Sequence, residues 1–177
     1  MGRNGLPSIF LWLGVKPVKV LALDQAIAKT GWSVYTNGKL KKHGLLEFDV
    51  GNGTPAERFK ESCKGVSKLI VDIKPDVVVM EGVTYQHNMW VLIELAQFQG
   101  VLIGTCIRRG IEFAIYHPST WRKILEFATY KKNRGQLKQL AIQHVKDTFG
   151  LDVPEDVAES ICIGQAHILN LKGAKQK

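Results

Sequence analysis

At 177 residues, 45% of them hydrophobic and 23% charged, the chain has the length and mix of one globular domain that buries its core without disulfide or metal staples. A net charge of +8 favours an anionic partner such as a phosphate backbone, and no unbroken apolar run approaches the roughly 20 residues that cross a bilayer, so no membrane partner is expected. Cys63, Cys106 and Cys162, like the five histidines, are scattered without the spacing of a disulfide framework or a zinc motif, which fits a reducing cytoplasm.

Residues 1–17 hold a short apolar patch, SIFLWLGV, behind a single arginine. The basic start is thin and no small-residue cleavage site follows, so the segment reads as an N-terminal arm of unknown role rather than a secretory signal. Val18 to Asp24 alternates as a strand, and Gly31 to Thr36 gives a second. Asn37-Gly38 marks a tight hairpin, because both positions of a type I′ turn need positive φ, and a third strand runs from Lys39 to about Phe48.

Thr54, Pro55 and Glu57 form a capping box that starts a helix, with Phe59, Cys63, Val66, Ile70 and Ile73 on one face and Lys74-Pro75 at its end. After Asp76, the run to Met80 is unbroken apolar, as expected of a strand buried on both faces, and it ends on Glu81. A helix from about Met89 to Arg108, a strand Ile111 to Tyr116 and a short helix opening at Pro118 follow. ATYKKNRGQ makes a loop, Gln136 to Phe149 a helix, and a last helix runs from near Pro154 to about Leu169, leaving 171–177 as a basic tail. The order predicts an α/β fold with a mixed five-stranded sheet, three antiparallel strands and then two parallel ones, flanked by helices within a domain spanning 18–170.

Asp24 ends one strand and Glu81 another, and in this order of elements those strands can lie side by side at the sheet centre. A charge on the lip of a buried strand costs several kcal/mol unless it is paired or binds a cation. Asp156 and Glu159, three apart, share one face of the last helix at the edge of its apolar stripe. Each acid alone reads equally as a strand cap, a loop acid or a first-turn acid favoured by the helix dipole. Carboxylates that converge repel unless cations neutralise them, and hard divalent ions such as Mg²⁺ or Mn²⁺ take oxygen ligands. Two such ions about 4 Å apart suit displacement at phosphorus, which points to a metal-dependent phosphodiesterase.

DQAIAKTGWSV, MEGVTYQ with LAQFQG, YHPSTWRKIL and DVAESICIGQAH together resemble, in order, the motifs of the RuvC-type Holliday-junction resolvases of the RNase H-like superfamily, over Val18 to about Leu169. The resemblance implies an RNase H-like fold and a homodimer held through the helix 89–108. It implies a Mg²⁺-dependent endonuclease with two ions per site and Mn²⁺ as substitute. Paired symmetric nicks in a four-way junction would leave 5′-phosphate and 3′-hydroxyl ends. On that reading Asp24, Glu81, Asp156 and Glu159 are the catalytic metal ligands and Tyr85 is the base-contacting wedge, although a core or loop tyrosine fits the sequence as well. The setting would be the cytoplasm of a bacterial or phage-infected cell, or an organelle. Two departures stand out: Gln25-Ala26 where the family has Pro-Gly, and Glu159 where it has aspartate.

Between Pro118 and Thr148 basic residues outnumber acids seven to two. Lys131, Lys132 and Arg134, beside Tyr130 in a loop, suit phosphate tracking, and Arg122, Lys123 and Lys138 extend the candidate DNA surface. Lys29, in the turn after Asp24, would meet the backbone near the cut. Lys146 reads as a solvated helix position. The helix 89–108 is apolar nearly all round, which suits either a second surface or a wholly internal helix. A related nuclease acting on flaps or RNA–DNA hybrids and a non-cleaving junction-binding protein are the alternatives. An actin-like ATPase would need two duplicated halves with Gly-rich phosphate loops, which 177 residues do not hold.

Overall fold

The computed structural model describes residues 18–48, 53–85 and 88–174; the N-terminal arm 1–17 and the last three residues of the expected tail lie outside them. Strands β1 (Lys19–Asp24), β2 (Lys29–Thr36), β3 (Lys39–Glu47), β4 (Val77–Glu81) and β5 (Glu112–Tyr116) form one sheet in the order β3-β2-β1-β4-β5. The β1–β2 and β2–β3 pairs are antiparallel, and β4 and β5 add in parallel. The expected mixed sheet is therefore present, with β1 and β4 adjacent. The β2–β3 hairpin turns at Asn37-Gly38, both with positive φ.

Helices α1 (Pro55–Ile73) and α2 (Met89–Arg108) cover one sheet face, while α3 (Pro118–Ile124), α4 (Arg134–Phe149) and α5 (Glu155–Ala174) lie on the other. The α1 capping box is formed in full, as the sequence predicts. Side-chain alternation divides the core: Leu21, Leu23, Val78 and Met80 point toward α1 and α2, and Val20, Ala22, Val77 and Val79 toward α5. By the same parity Asp24 and Glu81 face α5.

Two boundaries differ from expectation. Helix α4 begins at Arg134 because Asn133 caps it in a box with Gln136, so Arg134 belongs to a helix and not to the loop. Helix α5 continues to Ala174, past Asn170, whose side-chain amide donates to Tyr116 Oη at 3.2 Å; most of the expected basic tail is thus helical. The expectation about bilayer-length segments also needs correction, since α2 is long and apolar enough to cross a membrane by length and composition. Its Phe98, Leu102 and Cys106 are instead fully buried in the core, and it packs on α1 and β5.

Candidate active site

The position of α5 over β2 determines which acids meet. Asp24 pairs with Gly31 across the β1–β2 ladder, and a Cβ on Gly31 would lie 1.9 Å from the Asp156 carbonyl oxygen. Only glycine lets the first turn of α5 rest on the sheet at that point. Further along, Ser33 Oγ donates to the Ser160 carbonyl at 2.9 Å and Tyr35 Oη to the Ile161 carbonyl at 2.7 Å. A Cβ on Gly164 would stand 2.5 Å from the Tyr35 ring, so this contact too requires a bare backbone. These contacts bring Asp156 and Glu159 over the ends of β1 and β4.

The four acids feel one another. Burial first, and then Glu159, Glu81 and Asp156 in that order, push the Asp24 carboxyl well above the usual carboxylate range, opposed by Lys138. Burial also raises Glu81, against the hydrogen bond from Trp121, while Glu159 adds to the rise and Arg122 and Arg134 oppose it. The residues fit divalent cations in donor chemistry and charge, because oxygen donors crowd a poorly solvated place where ionisation is unfavourable without an added cation. Among the described residues no three His, Cys, Asp or Glu stand close enough together to hold an ion as they are. Ligation would therefore require side-chain rotation.

Protein donors hold two of the four. Trp121 Nε1 donates to Glu81 Oε1 at 2.7 Å, and Arg122 Nη2 to Glu159 Oε1 at 3.0 Å. The main-chain oxygen of Glu81 accepts from both Gln25 Nε2 and Gln99 Nε2, each at 2.7 Å. Gln25, at the departure from the family's turn, is buried, so that departure ties the end of β1 to the end of β4. Trp121 and Gln99 escaped the sequence reading. Trp121 adjoins the basic pair Arg122-Lys123, but nothing local in sequence points its indole at a strand 40 positions earlier.

The basic residues fall into three groups. Lys123, Lys131 and Arg134 are exposed and Lys132 is partly so, with Lys131 Nζ 5.2 Å from the centre of the exposed Tyr130 ring. Lys29 is exposed but pairs with Glu47 at 2.6 Å, as strand neighbours in the β2–β3 register. Lys138 pairs with Glu155, and Arg122 lies with its side chain only 14% exposed against Glu159. The charge of Arg122, which the sequence reading grouped with the candidate DNA contacts, is turned inward onto an acid. Tyr85 is 60% exposed after β4, which removes the core-tyrosine alternative.

The family model described as crossover junction endodeoxyribonuclease RuvC matches residues 20–167. Crossover junction endodeoxyribonuclease RuvC of Syntrophomonas wolfei is 26% identical over 155 residues, covering 85% of this chain and 88% of the relative. That of Dictyoglomus turgidum is 27% identical over 159 residues, covering 87% and 98%. Among solved structures, Thermus thermophilus RuvC in complex with Holliday junction substrate aligns with a TM-score of 0.69 at 15% identity, over 88% of this chain and 96% of that one. The yeast mitochondrial Holliday junction resolvase aligns at 0.60 and 16%, over 93% and 83%. These structural likenesses establish the RNase H-like fold. With the family match spanning nearly the whole described domain, the chain belongs to the RuvC crossover junction endodeoxyribonuclease family, whose members are metal-dependent nucleases.

Proposed function

We propose that this protein is a structure-selective endodeoxyribonuclease that resolves four-way DNA junctions, with two Mg²⁺ ions held by Asp24, Glu81, Asp156 and Glu159. The observation that carries the reading is the gathering of these acids at one end of the sheet, where three of them push the Asp24 carboxyl upward. The position of Asp24 on the central strand, beside both β4 and α5, supports its assignment as a shared ligand. Bound there, divalent cations would supply Lewis acidity at the scissile phosphate.

The chain's own groups do the remaining work. The amides of Gln25 and Gln99 anchor the Glu81 backbone, so its side chain extends from a fixed point. Lys131, Lys132 and Arg134, with Tyr130, form a cationic and aromatic edge suited to a phosphate backbone, and Lys123 adds to it. Tyr85, 60% exposed in the loop after Glu81, is the aromatic that would stack on an unpaired base. The exposed Met89, Trp90, Val91 and Ile93 of α2 form an apolar surface on which a second copy would pair, presenting two sites to the two symmetric strands of a junction. The three free thiols support a reducing compartment, the cytoplasm.

Cleavage rates with Mg²⁺ on a four-way junction, a flap, an RNA–DNA hybrid and a linear duplex test the reading. Preference for the junction by at least about tenfold is expected. Equal or faster cutting of the flap or hybrid would move the assignment to a different nuclease, and binding without cutting would make the protein a junction-binding module.

A further inference from the structure

We propose that the short helix α3 is a positioning element for the acidic site, in which Trp121 and Arg122 each fix one oxygen of a different carboxylate and so decide which oxygens remain for a cation. The inference rests on the metal-centre reading of those acids.

Trp121 is fully buried, and its indole N–H lies 2.7 Å from Glu81 Oε1; Arg122, the next residue, reaches Glu159 Oε1 at 3.0 Å. Adjacent residues of a helix normally diverge. Here the Arg122 guanidinium folds over the Trp121 ring, 4.5 Å from its centre, which brings both donors to the same side. The Trp121 ring meets Phe127 edge-on at 5.8 Å. His117 caps the helix and Pro118 presets its first turn, so the two donors project from a short, well-defined element.

A carboxylate has two oxygens. A charge-assisted hydrogen bond to Oε1 restrains the group and leaves Oε2 for another partner. Glu81 is thereby held at both ends, at its backbone oxygen by Gln25 and Gln99 and at its carboxylate by Trp121. Arg122 acts likewise on Glu159 through Nη2, while its Nε is buried without a hydrogen-bond partner among the described residues. Residues that orient metal-ligating carboxylates typically change ion affinity by 10–100-fold when removed.

The four tryptophans, Trp12, Trp32, Trp90 and Trp121, give four indole N–H resonances in the ¹⁵N-labelled full chain, and Trp121→Phe identifies one of them. That resonance is expected to lie downfield of the others, to move when Glu81 is changed to Ala, and to be broadened by Mn²⁺ at concentrations that support cleavage. Trp121→Phe keeps the ring packing and removes the donor. It should weaken Mn²⁺ binding about tenfold and lower kcat with junction affinity unchanged. If Trp121→Phe does not fold, Trp12→Phe, Trp32→Phe and Trp90→Phe assign the Trp121 resonance by elimination, and its Glu81→Ala shift and Mn²⁺ broadening decide the matter. A Trp121 signal indifferent to Mn²⁺ in a protein that cuts junctions would overturn the positioning role and leave the nuclease reading standing. Broadening in a protein that cuts no branched DNA would uphold the role and overturn the nuclease reading.

Discussion

The two faces of the sheet carry opposite kinds of unfavourable arrangement. On the α5 face, burial and three other carboxylates act together on Asp24, and on the α2 face Trp90 stands 80% exposed among other apolar side chains. The first would be relieved by cations and the second by a protein surface. A fold optimised for the isolated chain would have neither. On the proposed reading ion and partner would belong to different faces, joined through β4, whose Glu81 is gripped from the α2 side by Gln99 and from the α3 side by Trp121.

The comparison breaks first at Asp24. Asp24→Asn should reduce Mg²⁺-dependent cleavage by about a thousandfold or more while leaving junction binding intact, read by single-turnover kinetics and gel shift. The same change should raise the melting temperature of the metal-free protein. A carboxyl whose folded pKa lies above its unfolded value makes the folded state bind more protons, so ionised Asp24 costs stability increasingly as pH rises from about 4. A fall in melting temperature at pH 7 would show that Asp24 is not an uncompensated charge.

Gly31→Ala attacks the placement of α5 rather than the charge it carries. The new methyl cannot stand 1.9 Å from the Asp156 carbonyl, so the first turn of α5 must lift, at a cost of about 2–4 kcal/mol in thermal or urea unfolding. Wild-type stability would mean that the helix does not rest there.

On the same face, burial pushes His167 down to about 4 while its Nδ1 lies 3.1 Å from Tyr116 Oη. With the folded pKa below the unfolded value near 6.5, the stability from this neutral histidine is fully present above pH 6.5. It is lost progressively as pH falls toward 4, by about 3 kcal/mol at most. His167→Gln should flatten that limb of the stability curve between pH 6.5 and 4; an unchanged limb would assign the loss to other groups.

The α2 face should answer differently. Trp90→Asp is expected to leave monomer stability near wild type and to weaken self-association by about 2 kcal/mol, roughly thirtyfold, in sedimentation analysis. An unchanged sedimentation profile would remove that surface from the assembly. The smallest effect is expected at the basic edge, where Lys131→Ala with Lys132→Ala should reduce the salt dependence of junction binding by about two units of slope.

Most of the framework was legible in the sequence, because alternation, the Asn37-Gly38 turn and the Thr54 capping box are local signals. The adjacency of β1 and β4 followed from the order of elements. Where reading failed, the determining contact was between distant elements. The last helix is expected to end at about Leu169, yet α5 runs on to Ala174 and Asn170 bonds Tyr116 on β5. Arg122 sits in a basic run and reads as surface, but an acid on another helix draws it inward. Gln25 was visible as a departure; its bond to the end of β4 was not. Gly31 belonged to a recognised motif, and only the structure supplies its physical reason, the passage of α5 over a bare backbone.

The most direct test is to map cuts on all four strands of a synthetic four-way junction incubated with the protein and Mg²⁺. The account predicts one nick on each of two like strands, at positions related by the junction's twofold axis, with ends that a ligase reseals. Nicks on one strand only, unrelated positions, or cutting that persists without divalent ions would contradict it.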